Sequence, residues 1–319
     1  MLKHLLRIFF TILFINANDT VIYPQMIIDN QQEISSMQIH NHQLFVSSID
    51  GELKIYSLNT PSKVQKTITL PKYKDLFDNT LTPKIFNSDT NNLNQTLIIA
   101  TNAHGSRSIF LSSGNKIEIL LSDLSFAKAL WINDTQAIIA LLSNEILLFD
   151  IPLKKIIYQT QISQASFSDM LFDKDTKILY TTGESGIIYT INPFNGTILD
   201  KNTIHKDKVF QIALAKQTLL SAGQDRKVGI HSLQNKTSLT LPSDFLIYAV
   251  GIDSDGLYLA YMSDDLGSIT LFSLKDKKII AKLKGVKEVI NTILFYQDFI
   301  IVSCDGKAIY YFNIKGVKQ

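Results

Sequence analysis

The chain has 319 residues, 45% hydrophobic and 19% charged, which is enough to bury a sizeable core and too apolar for a disordered chain. Thirty-one Lys and Arg balance 29 Asp and Glu with no basic stripe, which argues against nucleic acid as a partner. The single cysteine, Cys304, excludes an intramolecular disulfide and a covalently attached haem c, each of which needs two.

The first residues stand apart from the rest. Lys3, His4 and Arg7 precede a short apolar run, Ile8–Ile15, and Ile15-Asn16-Ala17 offers a cleavage point before Asn18. This is the pattern of an export signal over residues 1–17, with one domain over 18–319. A retained anchor is the alternative, although the run is short against the roughly 20 residues that span a bilayer. No cysteine lies near the cleavage point, which excludes a lipoprotein. Loss of Lys3 and Arg7 leaves 29 cationic and 29 anionic side chains, a formally neutral body. The expected location is the periplasm, with no stable membrane insertion after cleavage.

A spare apolar stretch, Thr20–Ile28, comes next, and then a β-rich block returns seven times. The middle of each block is a strand, a tight turn and a second strand. LFVSS-IDG-ELKIYSL covers Leu44–Leu58, and a less regular block surrounds Gly105. AIIAL-LSN-EILLFD covers Ala137–Asp150, and ILYTT-GESG-IIYTIN covers Ile178–Asn192. LLSA-GQDR-KVGIHSL covers Leu219–Leu233, LYLAYMS-DDLG-SITLFSL Leu257–Leu274, and FIIVS-CDG-KAIYYFN Phe299–Asn313. The turn tips are Gly51, Gly105, Asn144, Gly186, Arg226, Gly267 and Gly306, spaced by 54, 39, 42, 40, 41 and 39 residues. A period near 40 with about four short strands per unit predicts an all-β, seven-bladed propeller. After Asn313 only Ile314–Gln319 remain, too little for an outer strand. Closure is therefore expected from Thr20–Ile28 pairing beside Ala308–Asn313 in the last blade, giving a monomeric ring.

The fifth block resembles the WD40 repeat. Leu219–Leu233 fits the pattern LASGSxDxTVRIWDL without a gap. The resemblance implies a hydrogen-bonded network within the blade from His205, Ser221, Asp225 and His231, with His231 standing where the name-giving Trp would be. The WD dipeptide itself is absent, so the chain resembles a divergent member. Length, leader, an Ile-, Lys- and Asn-rich composition and seven divergent blocks also resemble the WD40-like accessory proteins of periplasmic nitrate reductases. That likeness implies a component of the reductase system as partner and no substrate turned over here.

Several patterns were weighed as sites. His40-Asn41-His42 is a close histidine pair with nothing nearby to complete a three-ligand zinc site, and reads as a turn. Asp253-Ser254-Asp255-Gly256 opens like a calcium loop, but lacks the closing Glu and runs into a strand. Asp173-Lys174-Asp175 is its counterpart in block four. Cys304 reads as a small residue at a turn. No phosphate-binding glycine loop and no G-x-S-x-G is present, so no cofactor, metal or catalytic residue is assigned. Asp169, Gln211 and Asn291 on inner strands are the inward polar candidates that a channel-based hydrolase or lactonase would use. The long spacing after Gly51 marks an insertion between Leu70 and Thr96. Its first half, Pro71–Lys84, is expected on the rim with Lys72, Tyr73, Lys74, Phe77 and Lys84 as a protein-binding loop. Its second half, Asn87–Gln95, is expected as a polar loop on the opposite face. The reading is a non-enzymatic, exported protein-interaction scaffold, with a channel hydrolase or an outer-membrane assembly scaffold as alternatives.

Overall fold

In each block the two middle strands are covered on both faces, which is why they read as near-continuous apolar runs. Thr96–Thr101, Gln136–Leu141, Tyr258–Met262 and Phe299–Cys304 are buried along almost their whole length. The fourth strand has one face in water, so Val64–Thr69 and Lys155–Gln161 are largely exposed. The first strand faces a central lumen and mixes polar with apolar residues, as in Ile34–His40 and Phe167–Asp173.

The structure is a computed structural model that describes residues 20–318. The expected leader, residues 1–17, lies outside the described residues. Seven antiparallel blades form the molecule, and we letter their strands a to d from the axis outward. Blade one runs Ile34–His40, Gln43–Ser48, Glu52–Ser57 and Val64–Thr69. The a strands of blades two to seven are Ile85–Thr90, Phe126–Trp131, Phe167–Asp173, Val209–Ala215, Val250–Ile252 and Ile290–Tyr296. Antiparallel alternation puts all b–c turns and d–a connections on one face, and all a–b and c–d turns on the other. Six of the seven turn tips, Gly51 to Gly267, have φ between 61° and 77°, and non-glycine Asn144 and Arg226 share that geometry.

Each pair of neighbouring blades holds its own apolar layer. Phe45, Ile55 and Leu70 of blade one meet Ile85, Ile98 and Phe110 of blade two. Ile99 and Leu111 then meet Phe126 and Ile139 of blade three, and the same holds around the ring. The layer between blades seven and one joins Ile301, Ile309 and Tyr311 to Met37, Leu44 and Val46, and Ile28 belongs to it.

Met26–Asp29 completes blade seven as its outer strand, antiparallel to Ala308–Asn313, with Ile28 opposite Ile309. The closing stretch is shorter than expected. Val21–Ile22 leaves it and pairs in parallel with Lys278–Leu283, as a fifth strand on blade six. Pro24 between the two segments lacks an N–H donor and suits the crossing between sheets. Asn30 then fixes the exit. It is buried, its carbonyl accepts from Lys54 Nζ at 2.6 Å, and its Oδ1 accepts from the Tyr56 hydroxyl at 2.8 Å.

The insertion after blade one is also corrected. Asn87–Thr90 is not loop but part of strand a of blade two, with Ser88 and Thr90 buried, and only Asn91–Gln95 turns on the opposite face. Strands that face a wet lumen carry polar residues, which made this one look like a loop.

Removing the chain through Asp29 takes away six ladder pairs, four of them in blade seven, together with Ile28, and should abolish cooperative unfolding or cause aggregation. Removing it only through Tyr23 costs two pairs at an outer edge, about 1–2 kcal/mol. Urea melts of the two truncations check this, and equal midpoints would refute the closure role.

Candidate functional site

Three places concentrate the residues that sequence singled out: a hairpin on the b–c/d–a face, the lumen, and the interior of blade five.

The insertion folds into a small hairpin, Tyr73–Lys74 paired with Thr80–Leu81. Its tip is held by Asp75, whose Oδ1 accepts from the Phe77 and Asn79 N–H groups and whose Oδ2 accepts from Asn79 Nδ2, all at 2.9–3.0 Å. These donors, Asn79 foremost, hold the Asp75 carboxyl below its ordinary range. Lys74 pairs with Asp78 at 2.7 Å across the same tip. The result is an ordered turn that presents Leu76 and Phe77 at 86% and 85% exposure. Lys72, Lys74 and Lys84 are exposed around it. Tyr73 is not an exposed aromatic. It is half-buried, and its hydroxyl donates to Thr101 Oγ1 at 3.2 Å, anchoring the hairpin base. Lys84 N–H donates to the same Oγ1 at 2.9 Å. Gly51 packs under this base: a Cβ there would stand 2.9 Å from Thr82 Cγ2 and 3.1 Å from Pro83 O. Leu76 has no signal of its own in the sequence, because one leucine among lysines does not stand out until its exposure is seen.

The lumen measures about 670 Å³ and is lined by all the inner strands. A β-bulge at the second residue of the a strands in blades one, two, three, four, five and seven places Ser35, Phe86, Ala127, Ser168, Phe210 and Asn291 along its wall. The next residue stitches three of the blades to the blade that follows. Asn87 Oδ1 accepts from Ala129 N–H at 3.0 Å, Asp169 Oδ2 from Ile212 N–H at 3.0 Å, and Gln211 Oε1 from Val250 N–H at 2.9 Å. Lys128 holds that place in blade three. It cannot accept, and donates to Asp169 Oδ1 at 2.6 Å instead. Asn291 is bound inside blade seven, donating to Cys304 O and accepting from the Ser303 hydroxyl. The three inward polar candidates thus all line the lumen, with their side-chain oxygens committed to protein hydrogen bonds. Asp89, placed in a loop by sequence, belongs to the same system and accepts from Trp131 N–H at 2.7 Å. Burial pushes its carboxyl up to about 6. Among the described residues, no three His, Cys, Asp or Glu side chains converge as a metal site would require.

Inside blade five the structure brings His205, Ser221, Asp225 and His231 together. His205 Nδ1 lies 2.8 Å from Asp225 Oδ1, and its Nε2 lies 2.7 Å from Ser221 Oγ. Ser221 Oγ is 3.0 Å from His231 Nε2, and His231 Nδ1 is 3.0 Å from the donor Asn202 Nδ2. One assignment satisfies the whole chain with both rings neutral. Asn202 donates to His231, His231 to Ser221, Ser221 to His205, and His205 to Asp225. The Asp–His–Ser segment has the spacing of a hydrolase triad. Chemistry is blocked, because Ser221 is fully buried in strand b and its oxygen already accepts from His231. Two glycines make the room. A Cβ on Gly229 would sit 2.2 Å from Ser221 Oγ, and one on Gly223 2.4 Å from His205 Nδ1.

The remaining motifs are structural. Asn41 and His42 form a two-residue hairpin turn at φ 46° and 58°. Asp253 accepts from the Leu257 and Tyr258 N–H groups, and Asp173 from Asp175 N–H, so both acidic turns cap themselves. Cys304 is buried and donates to Glu288 at 3.2 Å; burial, reinforced by Glu288, pushes its thiol up to about 12, far from a reactive thiolate.

No protein-family model matches the chain, and no curated protein matches it in sequence. Among solved structures it is similar to the C-terminal WD40 domain of Sif2, with a TM-score of 0.68 at 15% sequence identity, over 89% of this chain and 82% of that one. The fold is that of a WD40 propeller. At that identity the likeness carries the fold and leaves the function to the chain's own surfaces.

The blade-five network sets a pH dependence. Burial, with the neighbouring His205 ring as a lesser cause, lowers the His231 pKa to about 4 from an ordinary 6.5. The unfolded chain therefore takes up a proton first as pH falls, so the neutral histidine's contribution is present above about 6.5 and lost progressively toward 4. The slope is at most about 1.4 kcal/mol per pH unit. In His231→Gln, the urea midpoint should fall less between about pH 7 and about pH 5 than in the parent. Equal slopes would refute the assignment.

Proposed function

We propose that the chain is a non-enzymatic docking module that grips another protein with its b–c/d–a face. The carrying observation is the hairpin tip, where Leu76 and Phe77 project into solvent from a turn fixed by Asp75. Exposing two large apolar side chains is costly for a free protein, and ordering them in advance lowers the entropy cost of burying them in a partner. Lys72, Lys74 and Lys84 around the tip add a cationic rim. The non-enzymatic reading is supported by the commitment of Asp169, Gln211 and Asn291 to blade contacts and by the burial of Ser221.

The finer reading places the protein outside the cytoplasm as an accessory or maturation factor of a periplasmic nitrate reductase system. It rests on the basic, then apolar, start of the chain and on the likeness of length and divergent repeats. If that start is a cleaved signal, the native protein begins near Asn18, and N-terminal sequencing that returns Met1 would refute export by cleavage.

A photo-reactive residue at position 77 should yield a discrete adduct in native extract, identified by mass spectrometry, while one at Leu153 on the opposite face should not. Leu76→Ser with Phe77→Ser should cost the partner about 1–4 kcal/mol of binding and leave the melting temperature unchanged. Full capture by a folded double variant would place docking elsewhere. A reductase component in the adduct would support the finer reading, and an unrelated protein would overturn it alone.

A further inference from the structure

The a–b/c–d face, opposite the hairpin, has a charge of its own. Every blade presents at least one exposed lysine there, whereas exposed carboxylates come from three blades only, as Asp134, Asp175, Asp255 and Asp276. The whole chain is nearly balanced, with 31 cationic and 29 anionic side chains, so the excess on this face is offset elsewhere. The face is assembled from short turns far apart in the chain, and no single run of residues shows it.

Three consecutive blades also project an apolar side chain from it. Leu93 in the a–b turn of blade two is 61% exposed, Leu153 in the c–d turn of blade three 70%, and Phe194 in the c–d turn of blade four 47%. One device holds out all three, an Asn or Asp at the start of the turn that accepts the apolar residue's own N–H. Asn91 Oδ1 accepts from Leu93 at 3.0 Å, Asp150 Oδ1 from Leu153 at 3.0 Å, and Asn192 Oδ1 from Phe194 at 2.9 Å. The Phe194 turn is also tied to blade three, where the Tyr158 hydroxyl donates to Pro193 O at 2.7 Å. The same blades carry exposed Lys116, Lys154, Lys155, Lys174 and Lys177, of which the first two pair with Glu118 at 3.0 and 3.7 Å.

Two observations choose the occupant. Protein interfaces are enriched in Arg and depleted in Lys. This face has lysines and no arginine, since Arg107 and Arg226 both lie on the b–c side. A protein hot spot also gathers its apolar anchors near one centre. Here the anchors stand a blade apart, which suits a broad surface that takes each tip separately. We propose that the a–b/c–d face adsorbs to an anionic lipid bilayer. Leu93, Leu153 and Phe194 enter the boundary between headgroups and acyl chains, and the lysines are held by headgroup charge. The hairpin then points away from the membrane and stays open to a protein.

The test is co-sedimentation of the chain from Asn18, which keeps all seven blades and the closing strand and omits the apolar run Ile8–Ile15. Vesicles of phosphatidylglycerol and phosphatidylcholine in equal parts should bind it at least tenfold more tightly than phosphatidylcholine alone, and high salt should weaken that binding. Leu93→Ser with Leu153→Ser and Phe194→Ser should weaken it at least tenfold. Lys155→Gln and Lys177→Gln should each weaken it about fivefold. Leu76→Ser with Phe77→Ser, on the other face, should change nothing. The substituted side chains are exposed, so melting temperatures should hold; if the triple variant does not fold, Leu153→Ser alone decides. An environment-sensitive dye on Leu153→Cys, with buried Cys304 unlabelled, should shift to the blue on the anionic vesicles and not with polyglutamate. Absence of binding at millimolar anionic lipid overturns the proposal, as do equal binding of neutral vesicles and affinity that survives the substitutions. A dye that answers polyglutamate as it answers vesicles also overturns it, in favour of an acidic protein.

Discussion

The structure depends on closing a ring. Seven blades make seven apolar interfaces only if the last meets the first, and blade seven has three strands from its own repeat. Met26–Asp29 supplies the fourth. Without it Ile309 and Tyr311 would lose their cover, and the outer edge of blade seven would be an unpaired template for other chains. Asn30 makes the closure specific. Its backbone and side-chain oxygens are both held by blade one, so the closing strand is tied to the blade that follows it as well as the blade it completes. Since the chain has a single cysteine, no disulfide shares this task.

Closure also determines what the lumen is for. The inner strands do not pair with one another as a barrel would, so their backbone N–H groups need partners across blade gaps. Asn87, Asp169 and Gln211 supply them from the same place in their strands. A catalytic channel needs such groups free to meet substrate. Here removing Asp169 would strand both the Ile212 N–H and the Lys128 ammonium, a loss of a few kcal/mol. The lumen polarity is thus mainly architectural.

Much of this was legible in the sequence, and the failures have physical causes. The period and the turn tips carried the fold, because one left-handed residue in six of the seven b–c turns leaves a mark even where Asn144 or Arg226 replaces glycine. The blade-five residues were legible through their unbroken spacing. Strand a of blade two was not, since Asn87, Ser88, Asp89 and Thr90 serve a wet lumen and a neighbouring blade, and polar strands resemble loops. The fate of Val21–Ile22 was hidden because a two-residue parallel pairing has no periodicity. Tyr73 and Phe77 looked alike in sequence. Only the three-dimensional proximity of Thr101 separates the anchored ring from the projecting one.

The same geometry explains how a ring with this fold stands without the WD dipeptide. The strand register aligns His231 with Tyr56, Leu111, Phe149, Ile191, Phe272 and Phe312, each opposite the second residue of strand b or its counterpart. All seven are buried, and six are apolar or aromatic. Ser221 aligns in the same way with Val46, Ile139, Thr181 and Val302. Where blade five has a chain of hydrogen bonds, most other blades have hydrocarbon packed against hydrocarbon. A buried polar network that replaces water one for one gains little net energy, and an apolar group of similar shape can take its place almost without loss. A half-removed network would strand a buried histidine or carboxylate, so the intermediate states are the costly ones. Blades of this kind should therefore hold the network whole or lose it whole, and blade five is the one that holds it here.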